Sequence, residues 1–96
     1  MDEMLIEILA KDLMAEHGLD DWTFEFDRAK VRLGACHYST KTISLSRPLC
    51  EWVSEYEIID TLLHEIAHAL VGPGEGHNHR WRRVAVSIGC FDWMFW

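Results

Sequence analysis

Residues 61–71 read Thr61-Leu-Leu-His-Glu-Ile-Ala-His-Ala-Leu-Val71, and the rest of the chain is organised around them. Within this stretch His64, Glu65 and His68 form an H-E-x-x-H motif. Residues four apart on an α-helix lie one above the other on the same face, roughly 6 Å apart along the axis. Two imidazoles so placed can both reach one ion at zinc–nitrogen distances of about 2.0–2.1 Å. Glu65 stands one position round from His64. Its carboxylate can therefore point at a water in the ion's open position without being a ligand itself. A composition of this kind produces the motif by chance in roughly a few per cent of shuffles, so its surroundings decide its weight.

Those surroundings are helical. Ile58, Ile59, Leu62, Leu63, Ile66, Ala67 and Leu70 recur at helical spacing through the motif. Ser54 followed by Glu57 makes a capping box, and Gly72-Pro73 stops the helix. Upstream, Asp2 to His17 reads as an amphipathic helix with Leu5, Ile8, Leu9 and Leu13 on its buried side and Gly18 as its cap. His17 is placed to interact with the helix dipole rather than with a metal. Trp22 to Phe26 alternates as a strand with Trp22, Phe24 and Phe26 on one face. Val31 to Tyr38 forms a second strand, in which Gly34 marks a bulge or the close approach of another group. Thr42 to Ser46 forms a third, with Ile43 and Leu45 inward. Downstream of a short Gly-rich loop, Asn78 caps a compact helix whose Trp81, Val84, Ala85 and Ile88 face inward and which Gly89 ends. The expected architecture is α+β and minimally zincin-like: an N-terminal helix, a three-stranded antiparallel sheet, the H-E-x-x-H helix and a short C-terminal helix.

Ninety-six residues make one domain, 1–96, and a 49% hydrophobic composition suffices for a real core. No stretch approaches the roughly 20 apolar residues of a membrane span. The N-terminus is acidic and amphipathic, unlike a signal or transit peptide, so a cytoplasmic location is expected. Cys36, Cys50 and Cys90 are widely spaced and odd in number, which fits small buried hydrophobes better than a disulfide framework. A net charge of −7 lacks the footprint of an autonomous nucleic-acid binder. The Arg80, Arg82, Arg83 cluster reads as a solvated helix face. The apolar tail, Cys90 to Trp96, is expected to pack back on the domain.

A catalytic zinc usually takes three protein ligands and leaves a fourth position for water. Downstream of the helix, Glu75, His77 and His79 are the candidates for the third. His77 ranks first because it directly precedes a helix anchored by Trp81. Glu75 sits between two glycines, with little to fix its rotamer, and it ranks behind with His79.

The segments Leu33 to Leu49 (LGACHYSTKTISLSRPL), Thr61 to Leu70 (TLLHEIAHAL) and Gly76 to Trp81 (GHNHRW) resemble the SprT-like (Spartan-type) zinc metallopeptidase domain over roughly residues 20 to 90. The resemblance implies that His64, His68 and His77 bind Zn²⁺, that Glu65 is the catalytic base, and that Trp81 is the aromatic following the third ligand. It implies a zinc endopeptidase hydrolysing protein substrates with loose sequence selectivity, DNA-associated proteins among them. Net charge gives no support to DNA association. A substrate strand could add to the exposed sheet edge through main-chain hydrogen bonds. His37 is a weaker candidate for lining that groove, and Tyr38, Tyr56 and His79 are all open as oxyanion-stabilising groups. Two other readings stand beside it. An ImmA/IrrE-type repressor-specific metalloprotease would favour a carboxylate third ligand such as Glu75. A non-catalytic, zinc-stabilised adaptor would favour a closed four-ligand site with His79 added. The sequence leaves oligomeric state undetermined.

Overall fold

The computed structural model describes residues 1–91. Along the chain they form α1 (Glu3–Glu16), β1 (Thr23–Asp27), β2 (Gly34–His37), β3 (Thr42–Ser46), α2 (Arg47–Cys50), α3 (Glu55–Val71) and α4 (His79–Ser87). The α+β class agrees with the sequence. The antiparallel sheet does not.

The strand order is β1-β3-β2, so β3 is central and the sheet is mixed. β2 pairs antiparallel with β3, while β1 pairs parallel with it, Phe24 opposite Ile43 and Phe26 opposite Leu45. Parallel neighbours need a crossover. Here residues 28–41 supply it, with β2 contained inside it. The segment 28–33 is pinned across one sheet face: the Asp27 carboxylate accepts from Ala29 N–H and Arg32, and Ser46 Oγ donates to the Ala29 carbonyl at 2.6 Å. Alternation identifies strands but carries no information about their order, which is why a simple meander is the wrong inference from it.

The central position of β3 explains its burial. Ile43 and Leu45 face the helices, and Ser44 and Ser46 on the opposite face are equally inaccessible. Those hydroxyls are satisfied: Ser44 Oγ donates to Asp27 at 2.7 Å and lies 2.9 Å from His37 Nε2. The helix-facing core joins Ile6, Ala10 and Met14 of α1, Phe24, Ile43, Leu45, and Ile58, Leu62 and Ile66 of α3. α1 thus buries a different stripe from the expected one. Leu9 and Leu13 are partly buried, but Leu5 and Ile8 are exposed. So many apolar residues crowd its first turns that several stripes compete, and packing on α3 and β1 selects among them. The four-residue α2, capped by Ser46 with Pro48 in its first turn, was not expected.

α3 matches its sequence reading closely. The Ser54 side chain accepts from Glu57 N–H at 3.2 Å, and Gly72 ends the helix at φ 88° with its N–H on the His68 carbonyl. α4, capped by Asn78, packs on α3 through Leu63, Ala67, Trp81 and Ala85. Cys90 is buried, and Phe91 meets Tyr56 edge-on while its N–H donates to Asp60. Residues 92–96, the rest of the expected apolar tail, lie outside the described residues.

Candidate metal centre

His64 and His68 project from one face of α3, a turn apart, as the 3.6-residue period dictates. His77 arrives from the loop beyond the helix. Gly72 and Gly76, both at positive φ, let the chain leave α3 and turn back within a few residues. The three Nε2 atoms form a triangle with edges of 3.2 Å (His64–His68), 3.0 Å (His68–His77) and 3.1 Å (His64–His77). Together these residues could hold a metal ion.

Two arguments say that an ion fits. Ligands at about 2.0–2.1 Å in a tetrahedral arrangement stand about 3.3 Å apart, close to the observed triangle. Each neutral Nε2 is moreover either a donor or an acceptor, so at least two of the three are alike and one contact is repulsive. A cation at the centre removes that conflict. The imidazoles are held in the ligating, neutral form: burial, and then the neighbouring histidines, depress His64 to about 3 and His68 to about 4, and burial also lowers His77. Three imidazoles suit zinc and its transition-metal neighbours rather than calcium or magnesium.

Trp81 forms the floor. Fully buried, it stacks on His68 at 5.4 Å between ring centroids and meets His64 and His77 more steeply at 4.7 Å each. Its indole N–H donates to the His64 carbonyl at 3.4 Å.

Glu65 turns towards the sheet, with Oε2 3.9 Å from His64 Nε2. Only 8% exposed, its carboxyl is pushed up to about 7 by burial, against a smaller opposing pull from Arg32. β2 comes close enough here that a Cβ on Gly34 would meet Thr61 Cγ2 at 2.6 Å and Glu65 Cγ at 3.3 Å. The sequence flagged Gly34 for such an approach. Just beyond, Tyr38 donates its hydroxyl to the His68 carbonyl at 3.2 Å, tying the edge strand to α3.

The other candidates stand apart from the triangle. Both carboxylate oxygens of Glu75 are engaged, one by Asn78 Nδ2 at 2.6 Å and one by Arg80 at 2.7 Å. His79 opens α4 on the outer face it shares with Arg82, Arg83 and Val86. His37 lies on the sheet face away from α3, since it pairs with Thr42 while Gly34 and Cys36 pair with the inward Leu45 and Ile43. The Cys36 thiol is pushed up to about 12, chiefly by burial and then by Glu65, which makes it unreactive. Sequence reasoning missed Asp60, 4% exposed inside the apolar run, which receives the Phe91 N–H. A lone acid within a helical stripe carries no signal of a partner 31 residues away.

Fold and cluster together define an α+β protein with a three-histidine site able to hold a metal. The SprT-like family matches residues 3–92, nearly the whole chain, and the protein belongs to that family. Comparison with curated proteins finds no match to set beside it. No helix among the described residues is long and apolar enough to cross a membrane.

Proposed function

We propose that the chain is a zinc-dependent endopeptidase of the SprT-like type, cutting protein substrates with loose sequence selectivity. The observation that carries the reading is the His64–His68–His77 triangle beside the buried carboxyl of Glu65. His64, His68 and His77 would hold Zn²⁺, which would supply Lewis acidity towards a carbonyl and a nucleophilic water near neutral pH. Glu65 takes the proton of the attacking water and delivers it to the departing amine. Buried and with Oε2 3.9 Å from His64 Nε2, the carboxyl is close enough to the triangle for both halves of that exchange. β2, at one edge of the sheet, offers main-chain groups along which an extended substrate adds as a further strand. This is a zincin-type arrangement, and access rather than a deep specificity pocket governs what is cut. We place the activity in the cytoplasm.

Two observations favour it over the competing readings. Glu75 is tied to Asn78 and Arg80, which counts against it as the carboxylate ligand of a repressor-specific protease. His79 stands outside the cluster, which leaves the closed site of an adaptor without its fourth ligand among the described residues.

The test is cleavage of an unfolded protein and of a DNA-bound basic protein by the zinc-loaded chain, with and without single-stranded DNA. Hydrolysis abolished by Glu65→Gln is expected. Stoichiometric zinc with neither substrate cut would sink the enzyme reading, and DNA stimulation would make DNA-associated proteins the preferred targets.

A further inference from the structure

Two large apolar side chains are far more exposed than folding requires: Val31 at 97% and Trp52 at 83%. Both line one groove of about 320 Å³, with Leu33, Leu49 and Val53 beside them and Thr61 of α3 at its floor. We propose that this groove is a subsite for a large apolar side chain of the substrate, one or two residues from the scissile bond. The inference deepens the endopeptidase reading and rests on it.

Continuity with the reaction centre identifies the occupant. Leu33 directly precedes β2 and its carbonyl accepts the Ser46 N–H at 2.7 Å, so pairing with β3 brings the edge strand up to the groove wall, where the chain bends away. A peptide laid along the free edge of β2 therefore runs into this groove. Thr61, at the floor, stands against Gly34. It precedes Glu65 by one helical turn, roughly 6 Å. At ~3.3 Å per residue of extended peptide, that is about two residues from the attacked carbonyl. The remaining groups lining the groove are the carboxylates Glu57 and Asp60, which disfavour an acidic side chain and tolerate a basic neighbour. The preferred substrate segment thus carries an aromatic or large aliphatic residue in an otherwise neutral or basic stretch. An opening of this size takes one large side chain, whereas a second copy of the chain would have to cover roughly 800 Å² per partner.

The test uses the full chain, zinc-loaded and carrying Glu65→Gln so that nothing is cut. Two labelled peptides of Gly, Ser and Lys are compared by fluorescence anisotropy, one with a single Phe and one with Ser in its place. The Phe peptide is expected to bind about tenfold tighter. That preference should collapse when Trp52→Ala or Val31→Ser is added, and neither exposed side chain is needed for folding. A preference that survives both substitutions overturns the proposal, as does failure of the Phe peptide to bind. Self-association of the parent that Trp52→Ala abolishes would assign the groove to a second copy and overturn it too. Peptides that bind with the Phe preference yet resist the wild-type zinc-loaded chain would leave the subsite standing and remove the peptidase. Cleavage without the preference would do the reverse.

Discussion

Trp81 lies flat against His68 and gives its indole N–H to the carbonyl of His64. One buried ring from α4 thereby supports all three members of the histidine triangle, which come from α3 and from the loop after it. The three histidines are thus held in place by a side chain that is not one of them.

Replacing Trp81 with Ala should cost about 3–5 kcal/mol of stability, as large core truncations do. It should also weaken metal binding about 10- to 100-fold, because the support of the ligands goes with it. Thermal unfolding and zinc titration read the two effects separately. Trp81→Phe, which keeps a ring but loses the donor, should fall between. Unchanged zinc affinity in Trp81→Ala would contradict a positioning role.

His77→Ala should weaken zinc binding by more than about 100-fold, beyond the range of a supporting residue. His79→Ala and Glu75→Gln should leave it within about twofold, since neither residue belongs to the triangle. Competition against a chelating dye measures all three. A large loss in His79→Ala would mean that the loop rearranges on metal binding.

Glu65→Gln should retain zinc and lower kcat by about 10²- to 10⁴-fold, the range of general base catalysis. In the metal-free protein burial pushes the carboxyl up to about 7. A dication beside His64 favours the carboxylate, so the acid limb of kcat/KM in the loaded enzyme should lie below pH 7. A limb above 7 would argue against this carboxyl as the base.

The metal-free chain should lose stability in acid. His64 and His68 are depressed from 6.5 to about 3 and about 4, so between those values the unfolded chain binds more protons than the folded one. Their contribution is present above 6.5 and is lost as pH falls. Glu65 has the opposite sign: raised from 4.5 to about 7, it favours the folded state at low pH and offsets part of the slope in that window. The net loss should therefore steepen below 4.5. Urea midpoints across this range test it, and a flat profile from pH 6.5 to 4 would contradict buried neutral histidines.

Gly34→Ala should destabilise the fold by about 1–3 kcal/mol, the usual cost of overpacking. The new methyl meets Thr61 Cγ2, on a stiff β-branched side chain. Adding Thr61→Ser removes that methyl and should recover part of the loss. Strict additivity in the double-mutant cycle would show that the two do not collide.

α3 was legible almost residue for residue. Its period, the Ser54 cap and the Gly72 stop are all written within a few positions of one another, and the spacing of His64 and His68 follows from the same period. The third histidine was ranked from loop length and the anchoring of α4, and the decisive facts about its rivals were not local. Glu75 is drawn away by Asn78 and Arg80, partners whose reach depends on how α4 begins. The stripe that α1 buries was misread for a related reason: Leu5 and Ile8 are as apolar as Ile6, and nothing within the helix says which side meets the sheet.

By itself, then, the sequence determined the limits of α1, α3 and α4, the existence of three strands (the second of them shorter, Gly34–His37, than the Val31 to Tyr38 read from alternation), the paired imidazoles with their adjacent carboxylate, and the family. These depend on interactions among residues within a turn or two, whose geometry the peptide backbone imposes. Only the tertiary structure decided that β3 enters between β1 and β2, that Trp81 underlies the histidines, and that an apolar groove runs on from the edge strand beside Glu65. Each of these joins segments far apart in the chain, where competing arrangements are settled by how the whole core packs.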